Sequence, residues 1–183
     1  MYVGYINKPA FIIMRTIKQV IAILLKIEKN IEQIRKIYVP NYRKFKPHIT
    51  IVYPFEFRSQ KELYRHIETS ISKIKPFRLS LCGLKKSAKE YYLYLLVSLG
   101  KNELIKLYKN LNSGILKYFK NKYMPKYIPH LSLGVFKTND EIKNAIREIK
   151  KENICFKTKI DSIQLLTFDK SHSLKRIENF KLQ

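Results

Sequence analysis

The chain has 183 residues, of which 45% are hydrophobic, so it can bury a substantial core and global disorder is excluded. Its formal net charge of +23 favours a polyanionic partner such as nucleic acid, or an acidic membrane surface. A composition bias explains the charge equally well, because Lys outnumbers Arg 29 to 8 whereas readers of nucleic acid usually favour Arg. No apolar run reaches the ~18 residues of a membrane span, so we expect a cytoplasmic protein with no membrane partner.

The first forty residues permit two interpretations. Apolar residues recur there at alternating steps of three and four, which is helical periodicity: Ile17, Val20, Leu24, Ile27, Ile31, Ile34 and Tyr38. Residues 20–25 are also a continuous apolar run, typical of a buried strand. We favour a strand followed by a helix over about residues 27–38, because the family resemblance described below needs it. Pro40 and Asn41 end that helix, and the N-terminal extension 1–17 has no assigned role.

Alternating or aromatic-rich segments predict further strands along the chain. They lie at residues 45–53, 77–84, 91–99 and 127–136, near 156–168, and at 174–182. Helical spacing predicts helices over about 60–73, over 103–118, and from Thr138 or Asn139 to 151. Pro54 closes the first of these strands, and Ser59 with Glu62 can form a capping box on the following helix. Residues 85–90 are predicted to form a hairpin turn and residues 120–126 a basic loop.

Cys82 and Cys155 are the two cysteines of the chain, and they lack CxxC spacing. The sequence therefore indicates neither a zinc site nor a disulfide framework. A reducing compartment fits this pattern. We expect no metal and no cofactor.

Two segments match each other closely: residues 47–51 read PHITI and residues 129–133 read PHLSL. Each is Pro, His, aliphatic, hydroxyl, aliphatic, a combination that composition alone would produce at roughly the 1-in-1000 level at a given His. Each also follows a helix and precedes another in the predicted order of elements. This loose duplication is typical of two similar α+β lobes rather than of a solenoid.

Alternate side chains of a strand share one face. His48 and Thr50 therefore point one way, His130 and Ser132 do the same, and each imidazole lies about 7 Å from its hydroxyl. If the two strands face one cleft, a neutral imidazole can take a proton from water or a ribose hydroxyl while a protonated one gives a proton to a leaving oxygen. The hydroxyls can bind the non-bridging phosphate oxygens. This chemistry needs no metal, and the sequence does not assign acid and base.

The segments His48-Ile-Thr50 and His130-Leu-Ser132 resemble the paired H-x-[ST]-x motifs of the 2H phosphoesterase superfamily. Residues 42–55 look most like its 2',5' RNA ligase-like branch. The resemblance covers about residues 18–182 and implies an α+β, bilobal fold, with two pseudo-symmetric antiparallel sheets and flanking helices around a central cleft. We therefore expect a single two-lobed domain over residues 1–183. By motif match, His48 and His130 would be the acid/base pair, and Thr50 and Ser132 the phosphate ligands.

One departure from the family pattern concerns the second motif, which is not followed by the Arg that some ligase-like members carry there.

Lys46 and Lys126 precede the histidines at even offsets, so they could bind flanking phosphates at the cleft mouth or be ordinary solvated lysines. Tyr53 has the opposite parity and should be core unless a bulge turns it.

Other candidates lack the motif pattern. Tyr91, Tyr92 and Tyr94 could offer a stacking surface for bases or form core on one side of their strand. The remaining histidines, His66 and His172, have no hydroxyl two positions later, so we expect structural roles for them.

The leading functional hypothesis is a metal-independent phosphodiesterase acting on 2',3'-cyclic phosphate ends of RNA or nucleotides. The same machinery could instead act on 2',5'-linked oligonucleotides or cyclic dinucleotides, as a 2',5'-phosphodiesterase or ligase. A non-catalytic RNA-binding protein is an alternative from another class, and a membrane-surface protein using a basic N-terminal helix is a third. We expect a monomer with an RNA or nucleotide substrate and no obligate protein partner.

Overall fold

A computed structural model describes residues 18–44, 46–87, 91–119, 126–152 and 154–183. The N-terminal extension 1–17, residues 88–90 of the predicted hairpin turn and residues 120–125 of the predicted basic loop lie outside these residues. The strands are β1 Lys18–Leu24, β2 His48–Phe55, β3 Phe77–Lys86, β4 Tyr92–Leu99, β5 His130–Val135, β6 Cys155–Ile160, β7 Ser162–Phe168 and β8 Leu174–Lys181. The helices are α1 Lys29–Tyr38, α2 Gln60–Ile71, α3 Lys101–Leu111 and α4 Asn139–Lys151, with a 3-10 helix at Gly114–Phe119.

The strands form two antiparallel sheets, which confirms the predicted α+β fold. Sheet A has the order β2-β1-β7-β8 and sheet B the order β5-β4-β3-β6. Strand β3, from the first half of the chain, pairs with β4 in sheet B, and β7, from the second half, pairs with β1 in sheet A. The motif strands β2 and β5 are edge strands, and they contact each other. The two motifs therefore meet where the two sheets adjoin.

The strand-then-helix interpretation of the N-terminal region is confirmed, and the continuous helix is wrong. Strand β1 pairs with both β2 and β7, and its residues Ile21 and Ile23 are buried. Helix α1 begins only at Lys29 and buries Ile31 and Ile34. Pairing on both sides stabilises the apolar run as a central strand, and this long-range contact overrides its helical spacing.

Three details of the predicted elements are wrong. Pro54 lies inside β2 instead of closing it, which is tolerated because an edge strand needs no N–H donor on its open side. The stretch 156–168 is two strands that belong to different sheets, with Asp161 between them. The helix predicted to reach 118 ends at Leu111. A separate 3-10 helix begins at Gly114, which has a φ of 50°.

The capping predictions have opposite outcomes. Ser59 is the N-cap of α2, but its side chain makes no capping hydrogen bond, so the capping box is absent. At α4 the Thr138 side chain accepts a hydrogen bond from the Glu141 backbone N–H. Thr138 is thus the N-cap, and Asn139 is the first helical residue.

The expectation of no disulfide is wrong. Cys82 and Cys155 are directly opposite on β3 and β6 and form a disulfide, with Cα atoms 4.6 Å apart and a sequence separation of 73. Spacing along the chain could not indicate this pair, because it depends on which strands adjoin in sheet B. Disulfides persist mainly in oxidising surroundings, so the cysteines no longer support a reducing compartment.

The core lies between the sheets and the helices that cover their outer faces. Helix α1 packs against β5 of the opposite sheet, and α3 packs against β2. The helix before each motif strand therefore crosses to the other lobe. Among the residues that the structure describes, no helix is both long and apolar enough to span a membrane.

Candidate active site

The motif strands present their side chains with the predicted alternation. Ile49 and Ile51 of β2 and Leu131 and Leu133 of β5 are buried in the core. The residues between them, His48 and Thr50 on β2 and His130 and Ser132 on β5, are only half-buried. Strands β2 and β5 are in contact, and His48 lies close enough to His130 to affect its pKa, so the two motif histidines are neighbours.

Each imidazole is oriented by the backbone of its own segment. The His48 Nδ1 lies 2.7 Å from the Lys46 carbonyl oxygen, and the His130 Nδ1 lies 2.7 Å from the Ile128 carbonyl oxygen. A carbonyl oxygen only accepts, so each Nδ1 carries the proton and donates it. The Nε2 of each neutral ring then has a lone pair directed away from the backbone, available to accept a proton.

Both histidines have a lowered pKa. Burial in the cleft is the main cause for each, and it is opposed by the hydrogen bonds to the Lys46 and Ile128 carbonyls. The positive charge of Arg35 lowers the pKa of His48 further, and the proximity of His48 does the same to His130. The two imidazoles are therefore electrostatic neighbours, and burial in the cleft favours their neutral forms.

Arg35 is a further functional candidate, and it lies outside both sequence motifs. It lies on α1 with a relative exposure of 3%, and its Nε donates a hydrogen bond to the Ser132 backbone carbonyl at 3.0 Å. Burial lowers its pKa and Glu32 opposes that shift. The available signal was its position one turn after Ile31 on the apolar face of an amphipathic helix, where a cation is unusual.

Side chains from the other lobe also hold the first motif strand. The Tyr127 hydroxyl donates to the Thr50 carbonyl at 2.8 Å, and the Asn112 Nδ2 donates to the Ile51 carbonyl at 3.1 Å. Burial raises the pKa of Tyr127 far above its usual range, so its hydroxyl remains a donor. Together with Arg35, these residues satisfy carbonyls on the open edges of β2 and β5 and set the position of one motif strand against the other.

We expect Tyr127→Phe to destabilise the protein by about 1–3 kcal/mol, because it leaves the Thr50 carbonyl without its donor while preserving the ring. Chemical denaturation measures this change. Tyr118→Phe, at a tyrosine that is 86% exposed, is the matched control. Equal stability of the two variants would show that the contact to Thr50 is unimportant.

Tyr53 reaches the cleft because of a bulge in β2. The β1–β2 register passes from Thr50 to Val52 and omits Ile51, so Ile51 and Val52 are both fully buried and Tyr53 returns to the face of His48. It lines a pocket with His48 and Thr50. Burial, with a smaller contribution from Tyr94, raises the pKa of Tyr53 to about 12.

The pocket beside His48 has an apolar wall supplied by sheet A. Its apolar lining residues are Val20, Leu24, Pro54, Leu166, Phe168 and Leu174. Lys44 and Lys46 also line it, which places the predicted candidate Lys46 next to the motif. Lys126 is exposed, and its substrate contact stays a prediction.

Tyr94 packs against His130. The two ring centroids are 3.9 Å apart, and Tyr92 stacks on the other side of Tyr94 at 6.2 Å. Tyr94 therefore restricts the orientation of the His130 ring, a role that its strand position did not reveal. Tyr91 precedes β4 and is exposed.

The other two histidines lie outside the cleft. The His66 Nε2 is 3.0 Å from the Leu111 carbonyl oxygen and connects α2 to the end of α3. His172 lies in the turn between β7 and β8 with a φ of 58°. Among the described residues, no group of three or more His, Cys, Asp or Glu side chains is placed to hold a metal ion.

The close approach of α1 to β5 depends on Gly134. A Cβ atom there would lie 2.8 Å from the Tyr38 Cβ and 2.7 Å from the Phe136 ring. We expect Gly134→Ala to lower the free energy of unfolding by about 1–3 kcal/mol and to reduce activity, since it displaces the helix that carries Arg35. Denaturation and kinetics measure both effects. Val135→Ala, at the exposed neighbour, should change stability by less than about 1 kcal/mol, and equal effects would contradict this account.

The model of the 2'-5' RNA ligase superfamily matches residues 24–172, which include both motifs. The chain belongs to this superfamily. A Bacillus licheniformis protein that is provisionally named a phosphoesterase is 26% identical over 144 residues, covering 77% of this chain and 83% of that protein. A provisionally named phosphoesterase of Halalkalibacterium halodurans is 25% identical over 147 residues, covering 79% and 84%.

Solved structures of low sequence identity share the superfamily fold. Escherichia coli LigT in complex with 3'-AMP has a TM-score of 0.55 at 15% identity and covers 91% of this chain and 95% of its own. Kluyveromyces marxianus Usb1 has a TM-score of 0.55 at 12% identity, with coverage of 92% and 99%. A crystal structure of a phosphoesterase reaches a TM-score of 0.60 at 15% identity, with coverage of 91% and 98%. The chain is thus a 2H phosphoesterase with a LigT-like fold.

Proposed function

We propose that the protein hydrolyses 2',3'-cyclic phosphates at the ends of RNA or on nucleotides, without a metal. The observation that carries this proposal is the matched orientation of His48 and His130, each donating from Nδ1 to a carbonyl and leaving Nε2 for proton transfer. Two such groups beside two hydroxyls supply a base, an acid and phosphate donors in one cleft.

In the proposed reaction, a phosphate between the histidines raises the pKa of one imidazole by its negative charge, so that this ring binds a proton. The neutral imidazole takes a proton from water as the water oxygen bonds to phosphorus. The bond from phosphorus to one ribose oxygen breaks, and the imidazolium gives that oxygen its proton. The product is a phosphomonoester beside a free ribose hydroxyl.

Three groups would stabilise the charge that develops on the phosphate. Thr50 and Ser132 share strand faces with the histidines, so their hydroxyls can donate to the non-bridging oxygens. Arg35 contributes a buried positive charge close enough to His48 to lower the pKa of that histidine. Because the effective dielectric constant is lower in a buried site than in water, this charge interacts more strongly with the phosphate. No step of the proposed reaction requires a metal ion.

The surroundings of His48 support a nucleotide substrate. The apolar wall formed by Val20, Leu166 and Phe168 suits a nucleoside next to the scissile phosphate, since base stacking on an aromatic side chain contributes about 1–3 kcal/mol. The LigT structure that shares this fold contains 3'-AMP, a nucleotide with a phosphate on the ribose. That bound nucleotide supports the substrate class proposed for this chain.

The test is turnover of each of the four 2',3'-cyclic nucleoside monophosphates in the presence of EDTA, with products separated by chromatography. We expect a 2'- or 3'-phosphomonoester to accumulate at the same rate with and without the chelator. Loss of turnover in EDTA would contradict the metal-independent mechanism, and no turnover of any cyclic substrate would contradict the proposed activity.

The superfamily match favours one second candidate, action on 2'-5' linkages. The same acid and base can cleave or form such a bond, because the reverse path passes through the same cyclic phosphate. A 2',5'-linked dinucleotide in the same assay distinguishes the candidates. Faster cleavage of this dinucleotide than of any cyclic phosphate would make the 2'-5' linkage the preferred substrate.

A further inference from the structure

The face of sheet B that bears His130 extends across all four strands. Direct cross-strand partners share a face, and neighbours along a strand alternate. Leu96 opposes His130, whereas the next residue, Val97, is buried opposite Leu81 of β3. Ser80 is the neighbour of Leu81 along β3, so its side chain lies on the same face of sheet B as His130. We call this surface the cleft face of sheet B.

Three cations lie on the far part of this cleft face. Arg78 is two residues from Ser80 and opposes Lys159 of β6, and Lys157 opposes Ser80 in the same unbroken register. All three are exposed, and they line one groove with Leu99. From the strand spacing and the rise per residue, they lie about 16–20 Å from His130.

The arrangement of charge distinguishes this groove from a basic surface produced by composition alone. Like charges directly opposite each other, as in Arg78 and Lys159, destabilise a sheet. The four strands of sheet B contain no Asp or Glu, and none of the ion pairs among the described residues involves these three cations. The single acid on a strand of sheet A, Glu178, forms an ion pair with Arg176 of the same strand.

We propose that Arg78, Lys157 and Lys159 form a second anion-binding site, which holds the backbone phosphates of a single-stranded oligonucleotide whose terminal phosphate lies between His48 and His130. This inference rests on the proposed function and specifies its substrate. The groove is too far from the histidines to contact the same phosphate, so a free nucleotide cannot occupy both sites. The site therefore selects the ends of oligonucleotides over mononucleotides.

The test compares a 2',3'-cyclic mononucleotide with single-stranded oligoribonucleotides of increasing length that end in a 2',3'-cyclic phosphate. For the wild type, kcat/KM should rise with length until the chain reaches the groove. In the triple variant Arg78→Gln, Lys157→Gln, Lys159→Gln, the ratio of oligonucleotide to mononucleotide kcat/KM should fall at least about tenfold. The slope of log affinity against log salt should become shallower by up to about 2, since each lost phosphate contact on a single strand removes about 0.7.

The control is a triple variant with the same loss of charge on the outer helices, Lys106→Gln, Lys109→Gln and Lys150→Gln, which should keep the wild-type ratio. Affinity for a 3'-hydroxyl oligonucleotide, measured by fluorescence anisotropy for all three proteins, reports on the groove without catalysis. The proposal is overturned if the groove variant changes ratio and affinity no more than the control. Absence of turnover on every substrate overturns the proposed function instead, and the anisotropy series then decides on the groove alone.

Discussion

Replacing either His48 or His130 with alanine will lower kcat for a 2',3'-cyclic phosphate by about 10²–10⁴-fold, the range expected when a positioned acid or base is removed. Both rings keep Nε2 for the substrate, and the mechanism needs one of them as base and the other as acid, so one histidine alone cannot supply both proton transfers. The kcat of the double variant should be only slightly lower than that of the less active single variant, because the two groups act in one concerted transfer.

The matched control for these variants is His172→Asn. His172 is exposed in a turn with a φ of 58°, a conformation that Asn tolerates, so this variant removes an imidazole without backbone strain. It should retain wild-type kcat. Circular dichroism and thermal melts establish that each variant is folded. Activity that survives in folded His48→Ala or His130→Ala would exclude the proposed acid–base pair.

Replacing Arg35 with Gln will have the second largest effect, a fall in kcat of about tenfold or more. The substitution removes a buried positive charge next to His48 and the donor to the Ser132 carbonyl. The charge of Arg35 lowers the pKa of His48, so its removal raises that pKa, and the limb of the pH–rate profile governed by His48 should move to higher pH. A shift of the acidic limb would identify His48 as the base, and a shift of the basic limb would identify it as the acid.

Arg35→Lys separates the two contributions of the guanidinium. Lysine keeps a positive charge but not the planar donor fork, so the pH limb should stay near its wild-type position while stability and kcat fall. Arg65→Gln, at an exposed residue of α2, is the control for loss of an arginine charge. A pH profile that is identical in Arg35→Gln and the wild type would contradict electrostatic coupling between Arg35 and the histidine pair.

Local pattern was sufficient to predict which side chains of the two motifs share a strand face. The parity of His48 with Thr50 and of His130 with Ser132 is a property of any strand, so their shared faces followed from sequence alone. The antiparallel α+β fold followed from the resemblance that those motifs carry. The same parity also indicated that Tyr53 would enter the cleft only through a bulge, and the bulge is present at Ile51.

Features that depend on contacts between distant strands could not be predicted. Cys82 and Cys155 pair because β3 lies next to β6, and the apolar stretch after Phe156 divides between two sheets. Arg35 was overlooked because the surroundings of a helix face are set by the strand packed on it, here β5 of the other lobe. These residues acquire their roles from the exchange of strands and helices between the two halves of the chain.

The proposed mechanism requires the two Nε2 atoms to converge on one phosphorus, and a crystal structure with bound inorganic phosphate tests this directly. We predict a phosphate between His48 and His130, within hydrogen-bond distance of both Nε2 atoms, with the Thr50 and Ser132 hydroxyls donating to its oxygens. Phosphate bound only elsewhere, with imidazoles too far apart to contact one ion, would contradict the proposed mechanism.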